Sequence, residues 1–176
     1  DMSAALTLPF TFPFYEFTHT NVVVSSNGLI KFGTTTNLTF WLNRSLPFRA
    51  STPHDVLAVW WDDLDPTVTR NAGGNVWYGT DNNGPGGTPR AIITWDKIPH
   101  ANYGSTNLFS FQALLHSNGD MICQYQDVRP LDLVNGAGRS ATIGTENEVG
   151  DAASLYSFNG STLLTNELAL FFDYGP

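Results

Sequence analysis

The sequence predicts an all-β fold: one domain built as an antiparallel, two-sheet β-sandwich, jelly-roll-like, of about ten strands. Three observations carry this. Short apolar runs rich in Val, Ile and aromatics recur along the chain, separated by clusters of Gly, Pro, Asn and Asp. No window keeps a helical period. The segment VLAVWWDDLDP, Val56 to Pro66, sets Trp60 beside Trp61 in an apolar run that Pro66 stops. Neighbouring strand residues face opposite ways, so both faces of this strand must be covered by protein.

Taken in order, Leu6, Leu8, Phe10, Phe12 and Phe14 share one parity, with Thr7, Pro9, Thr11 and Pro13 on the other. That is a strand with one buried face, and its prolines put it at a sheet edge. Tyr15 to Thr20 reads as a turn or short connection. VVVSS and LIKFG then flank Asn27-Gly28, whose tolerance of positive φ suits a two-residue type I′ hairpin. That loop pairs Val23 with Phe32, Val24 with Lys31 and Ser25 with Ile30, with Val24 nearer solvent. Thr34 to Pro53 keeps no period and reads as a long surface excursion pinned by Phe40, Trp41, Leu42 and Phe48.

After the double-Trp strand, Thr67 to Gly74 is a loop and Asn75 to Gly79 a short strand. DNNGPGGTP, Asp81 to Pro89, is turn chemistry, and Ala91 to Trp95 returns. Leu108 to Leu115 and Met121 to Tyr125 flank Asn118-Gly119 as a second hairpin, apolar on both parities and so expected mid-sheet. Ala141 to Gly144, Ser154 to Phe158 and Glu167 to Phe172 supply the last strands. The final one, ELALFF, is expected to be central or well covered.

A chain of 176 residues suffices for one substantial core, and residues 1–176 are read as one domain. Charged residues are only 14% and aromatics 13%, the opposite of a disordered composition. The net charge of −8 repels phosphate backbones, which excludes nucleic acid as a favoured partner. No apolar run reaches the ~18 residues of a membrane span, so no membrane insertion is expected. No secretory leader opens the sequence, and a chain starting at Asp1 is expected of a processed product. The lone Cys123, inside a predicted strand, forms no intrachain disulfide and is read as a small buried hydrophobe.

In order, LPFTFPFY, VVVSSNGLIKFG, VLAVWWDDLDP, GNVWYGT, AIITWDKIPH, FSFQALLHSNGDMICQYQDV and ATIGTEN resemble the nidogen-like (NIDO) domain. Its bacterial relatives occur in adhesins, matrix proteins and the tails of secreted proteases. The resemblance runs from about Leu6 to Phe172 and rests on the ordered set of segments. Glu16 stands where such modules often have Gly, which bears on the first turn. The resemblance implies an extracellular or cell-surface β module that binds or assembles, and it implies no catalytic residues.

Candidate chemistry follows from the residues themselves. Asp62, Asp63 and Asp65 could offer oxygens to Ca²⁺, with Asp63 and Asp65 on one face and Asp62 on the other; acceptance of backbone N–H bonds is the competing use. His19, His54, His100 and His116 form no HExxH or i, i+4 pair. Gly136 to Ala141 spells a nominal GxGxxA, but a strand rather than a helix follows it, so it is read as a loop. The sequons at Asn37, Asn43 and Asn159 fall in predicted loops, where a glycan reaches solvent. Trp41 and Tyr103, with Phe40 and Trp77, lie in or beside loops and could stack on sugars.

Two function classes result. The first is a structural or adhesive subunit of a surface or matrix assembly, a homo-oligomer or partner of other extracellular proteins. Segment 1–14 is its candidate edge or donor strand, and a self-assembling fibril built by strand exchange its extreme form. The second is a lectin-like module that binds glycans through loop aromatics and Ca²⁺. No enzyme is expected.

Overall fold

The computed structural model describes residues 2–34, 38–67, 74–101, 108–129 and 131–175. Its strands are β1 (Ser3–Phe14), β2 (Phe17–Ser25), β3 (Leu29–Phe32), β4 (Val56–Trp61), β5 (Asn75–Asp81), β6 (Arg90–Pro99), β7 (Leu108–His116), β8 (Met121–Asp127), β9 (Thr142–Glu146), β10 (Ala153–Phe158) and β11 (Leu168–Phe172). They form two antiparallel sheets, one ordered β1-β2-β3-β4-β9-β10 and the other β11-β8-β7-β6-β5. Among the described residues there is no α-helix. The fold class read from the sequence is therefore the observed one, an open all-β sandwich.

β4 is buried along its whole length. Its partition between the two faces is not simple alternation. Leu57, Val59 and Trp60 enter the core between the sheets, whereas Val56, Ala58 and Trp61 face a second apolar cluster on the outer side. A bulge explains the break. The Gly28 carbonyl accepts from both the Val59 and the Trp60 N–H, at 2.9 and 3.2 Å. Two residues of β4 thus oppose one of its neighbour, which resets the parity. Trp60 then stacks among Phe109, Phe111 and Tyr125 of the opposite sheet. Tyr125 Oη donates across the sandwich to the Val59 carbonyl at 2.8 Å, and Trp95 Nε1 to the Ser25 carbonyl at 2.9 Å.

Gly28 also corrects the hairpin. The observed pairs are Val22 with Phe32, Val23 with Lys31 and Val24 with Ile30, one residue off the expected register. The loop is the three residues Ser26, Asn27 and Gly28, with only Gly28 at positive φ (72°). Three-residue loops close with a left-handed residue at their end. Val24 is accordingly buried rather than near solvent. The second hairpin repeats the solution: His116 pairs through its N–H with Asp120, leaving Ser117, Asn118 and Gly119 as the loop. In both, Ser-Asn-Gly rather than Asn-Gly is the turn.

Three further expectations change. Tyr15 and Glu16 alone make the first turn, because Phe14 pairs with Phe17, so Phe17 to Thr20 belong to β2. The positive φ (48°) falls on Tyr15, which leaves Glu16 without the need for Gly. β11 is an edge strand of alternating exposure, not a central one; its inward residues pack and Phe171 is 59% exposed. The excursion before β4 is held by Leu38 and Leu46, both buried, with Phe40 partly buried; Trp41 and Leu42 are exposed.

Candidate functional site

Two broad outer faces and the open edges are the surfaces on which this body can act. The outer face of the six-stranded sheet is strapped over by residues 38–55. Trp61 Nε1 donates to the Phe40 carbonyl at 2.9 Å. Asn43 Nδ2 donates to Ser140 O, Thr142 Oγ1 and Asn159 Oδ1. The Thr142 hydroxyl donates back to the Arg44 carbonyl at 2.6 Å. At the far end, fully buried Glu146 of β9 accepts from the Phe48 N–H through Oε1 and meets His54 Nδ1 at 2.9 Å through Oε2. Asp55, also buried, lies 3.6 Å from His19 Nε2. Burial raises the Asp55 carboxyl to about 6, against the opposing pull of Lys31. Burial and the Lys31 charge lower His19.

The acidic segment past β4 is a structural corner. Strand alternation does not extend through it, since β4 ends at Trp61 and Leu64 forms a single bridge with His100. Asp62 Oδ1 accepts from the Asp63 N–H at 2.9 Å and lies 3.4 Å from His100 Nε2; Oδ2 accepts from Ser140 Oγ at 2.5 Å. Asp65 Oδ1 accepts from the N–H and hydroxyl of Thr67. Among the described residues no three His, Cys, Asp or Glu side chains converge as metal ligands would. The Ser140, Asp62 and His100 contacts do not amount to a nucleophile and its base, because the hydroxyl donates to the carboxylate rather than to the imidazole.

The sequons separate on geometry. The nitrogen of Asn43 that would carry a glycan makes three hydrogen bonds, whereas Asn159 is exposed and contributes its oxygen to one of them. Asn37 lies outside the described residues, as does Tyr103. Trp41 is 51% exposed on the strap. Cys123 is fully buried in β8, and burial pushes its thiol up to about 12.

Among the described residues no segment straps the outer face of the five-stranded sheet. Strand register lines up Trp77, Thr94, Gln112, Gln124 and Ala169 in one row across β5, β6, β7, β8 and β11. Thr94 Oγ1 donates to Gln112 Oε1 at 3.1 Å, and Gln112 Nε2 to Gln124 Oε1 at 2.5 Å. A groove of about 350 Å³ runs along the Thr94, Gln112, Gln124 and Ala169 part of this row, lined also by Asp96, Ser110, Gln126 and Glu167; Trp77 lies beyond its end and lines the groove at the β5 edge. Local sequence hides the row, because its members lie on five separate strands.

At the sandwich's side, among the described residues β5 pairs only with β6, and six of its seven residues are exposed. Val76 and Tyr78 pair with the core residues Trp95 and Ile93, so they point toward the gap between sheets rather than outward. They line a groove of about 410 Å³ against Met2, Ala4 and Leu6, and Tyr78 Oη donates to the Thr7 carbonyl at 3.1 Å.

A family model described as NIDO related matches residues 1–169, nearly the whole chain. No curated protein and no solved structure gives a significant match. Among the described residues no helix is long and apolar enough to cross a membrane.

Proposed function

The chain belongs to the NIDO-related family, and from that premise we propose that it works outside the cell as a structural or adhesive module, one that holds other chains rather than transforming a substrate. The family supports the extracellular setting. The edge β5 supports the mode of assembly. It is the most exposed strand of the sandwich and carries Val76, Trp77 and Tyr78 in succession, with neither Lys nor Pro to protect it. An edge of that kind accepts a further strand by main-chain hydrogen bonds, with flanking pockets reading alternate side chains. The groove lined by Val76 and Tyr78 is such a pocket.

The N-terminal segment is less suited to leave its own chain. β1 pairs with β2 over most of its length and places Leu8, Phe12 and Phe14 in the core. Strand exchange through residues 1–14 would forfeit that burial, whereas addition at β5 costs the donor chain nothing already formed. The assembly proposed is therefore copy on copy through β5.

Light scattering over a concentration series tests it. The average mass of the native chain should rise with concentration. Val76→Lys/Tyr78→Lys, which places two charges on the inward side of the edge, should hold the mass at one chain with an unchanged circular dichroism spectrum. A native chain of single-chain mass up to about 1 mM, weaker than any useful contact, overturns the assembly.

A further inference from the structure

We propose that the outer face of the five-stranded sheet is a binding site for a neutral saccharide chain, with the row Trp77, Thr94, Gln112 and Gln124 at its centre. The site is distinct from the loop aromatics on the strap; it shares β5 with the assembly edge through Trp77, whose strand parity is opposite to that of Val76 and Tyr78. It needs no metal.

The chemistry of the row selects the ligand. A primary amide offers two donors and two acceptor lone pairs. In the ladder from Thr94 through Gln112 to Gln124, each amide uses part of that capacity on its neighbour, which fixes its orientation. The rest is presented from a rigid sheet, so little side-chain freedom is lost on binding. Adjacent hydroxyls of a sugar ring, each both donor and acceptor, match such a row. Trp77 stands next to Thr94 at the β5 end and is 58% exposed, an aromatic face for the C–H side of a sugar ring. In the neighbouring row, partly exposed Ile92 and Ile122 flank buried Leu114 and give the strip an apolar margin.

Other ligand classes fit less well. Asp96 and Glu167 line the groove and the chain carries −8, which disfavours phosphate backbones and anionic surfaces. A peptide that binds by strand addition needs an open edge, and the main chains of β6, β7 and β8 are already paired on both sides. A second groove of about 540 Å³ shares Asp96, Ser110 and Gln126 with the first, so the surface extends beyond one ring. That extent suits an oligosaccharide rather than a monosaccharide.

The test uses the full chain with a panel of neutral gluco-, manno- and galacto-oligosaccharides, tetra- to hexasaccharide, in the presence of chelator. At least one should bind, and titration with it should show an affinity lower by about tenfold or more for Trp77→Ala and for Gln124→Glu. Both positions are solvent-facing, and unchanged circular dichroism confirms the fold. Trp41→Ala and Val76→Lys/Tyr78→Lys should leave binding intact, which separates this site from the strap and from self-assembly. The proposal is overturned if no saccharide binds, if binding survives both Trp77→Ala and Gln124→Glu, or if it is lost with Trp41→Ala or on chelation.

Discussion

Replacing Asp55 with Asn should stabilise the protein above pH 7 and do nothing for it near pH 4. Asp55 is almost completely buried just before β4, with φ of 60°, a conformation Asn accepts readily. Its backbone is well used: its N–H donates to the Asn147 carbonyl and its own carbonyl accepts from Phe32. Its carboxylate is less well served, with Oδ1 unpartnered among the described residues and His19 Nε2 3.6 Å from Oδ2. Burial lifts the carboxyl from 3.8 to about 6; Lys31 pulls it down, Glu148 and Glu16 push it further up. A folded-state value above the unfolded one means stability that is full below pH 3.8 and lost as pH rises through about 6. The gap of about 2 units corresponds to about 3 kcal/mol carried as a penalty at pH 8. Asn escapes the charge but must still place an amide, so a gain of about 2 kcal/mol is expected. His19 works in the opposite sense: lowered when folded, it contributes above its ordinary value and loses that as pH falls. With Asp55 neutralised its opposing slope is gone, while the lowered His19 and His116 remain, so stability of the variant should fall as pH drops below 6.5. Urea unfolding of both proteins from pH 4 to 8 reads this directly. A variant no more stable than the native chain at pH 8, or two parallel pH profiles, would refute the reasoning.

Three more perturbations follow from the packing. Gly28→Ala places a Cβ against the Trp60 backbone at positive φ and should cost about 3 kcal/mol in urea unfolding; a change below about 0.5 kcal/mol would mean the bulge tolerates displacement. Glu146→Ala removes the acceptor of the Phe48 N–H and the partner of His54, so about 3 kcal/mol should be lost. The strap should then be cut by a protease before the rest of the chain, and an unaltered digestion pattern would contradict its role as the latch. In a glycosylating host, peptide mass mapping should find glycan on Asn159 and none on Asn43, whose amide nitrogen is occupied. Glycan on Asn43 in folded protein would show that those three hydrogen bonds are dispensable.

What the chain discloses before folding is set by how far apart the cooperating residues lie. The enclosure of Trp60 and Trp61 is legible because strand parity is a nearest-neighbour property. The bulge that decides which apolar residues share the core with Trp60 is not, because it depends on the Gly28 carbonyl, 31 and 32 residues before Val59 and Trp60. The hairpins are readable as hairpins, but Asn-Gly fits loops of two or three residues; in the first, the contacts of the Gly28 carbonyl with β4 hold the longer loop, and these are not local to the hairpin. β11 looked central because ELALFF is dense in apolar residues, yet density within a segment does not say whether a second neighbour exists. Asp62 was legible as an acceptor of local N–H bonds, while its Ser140 and His100 contacts were not. The amide row of the five-stranded sheet left no local signal at all, since a single Gln in a strand has no pattern.

The strap over β4 and β9 has a consequence for geometry at larger scale. It gives the slab a back and a front. With one broad side closed by the strap and no described segment over the other, copies joined through β5 as proposed would present their clear sides in a direction set by the joint. Whether neighbours in such an array look the same way or alternate then depends on a single contact, and so does the number of ligands the array can grip at once.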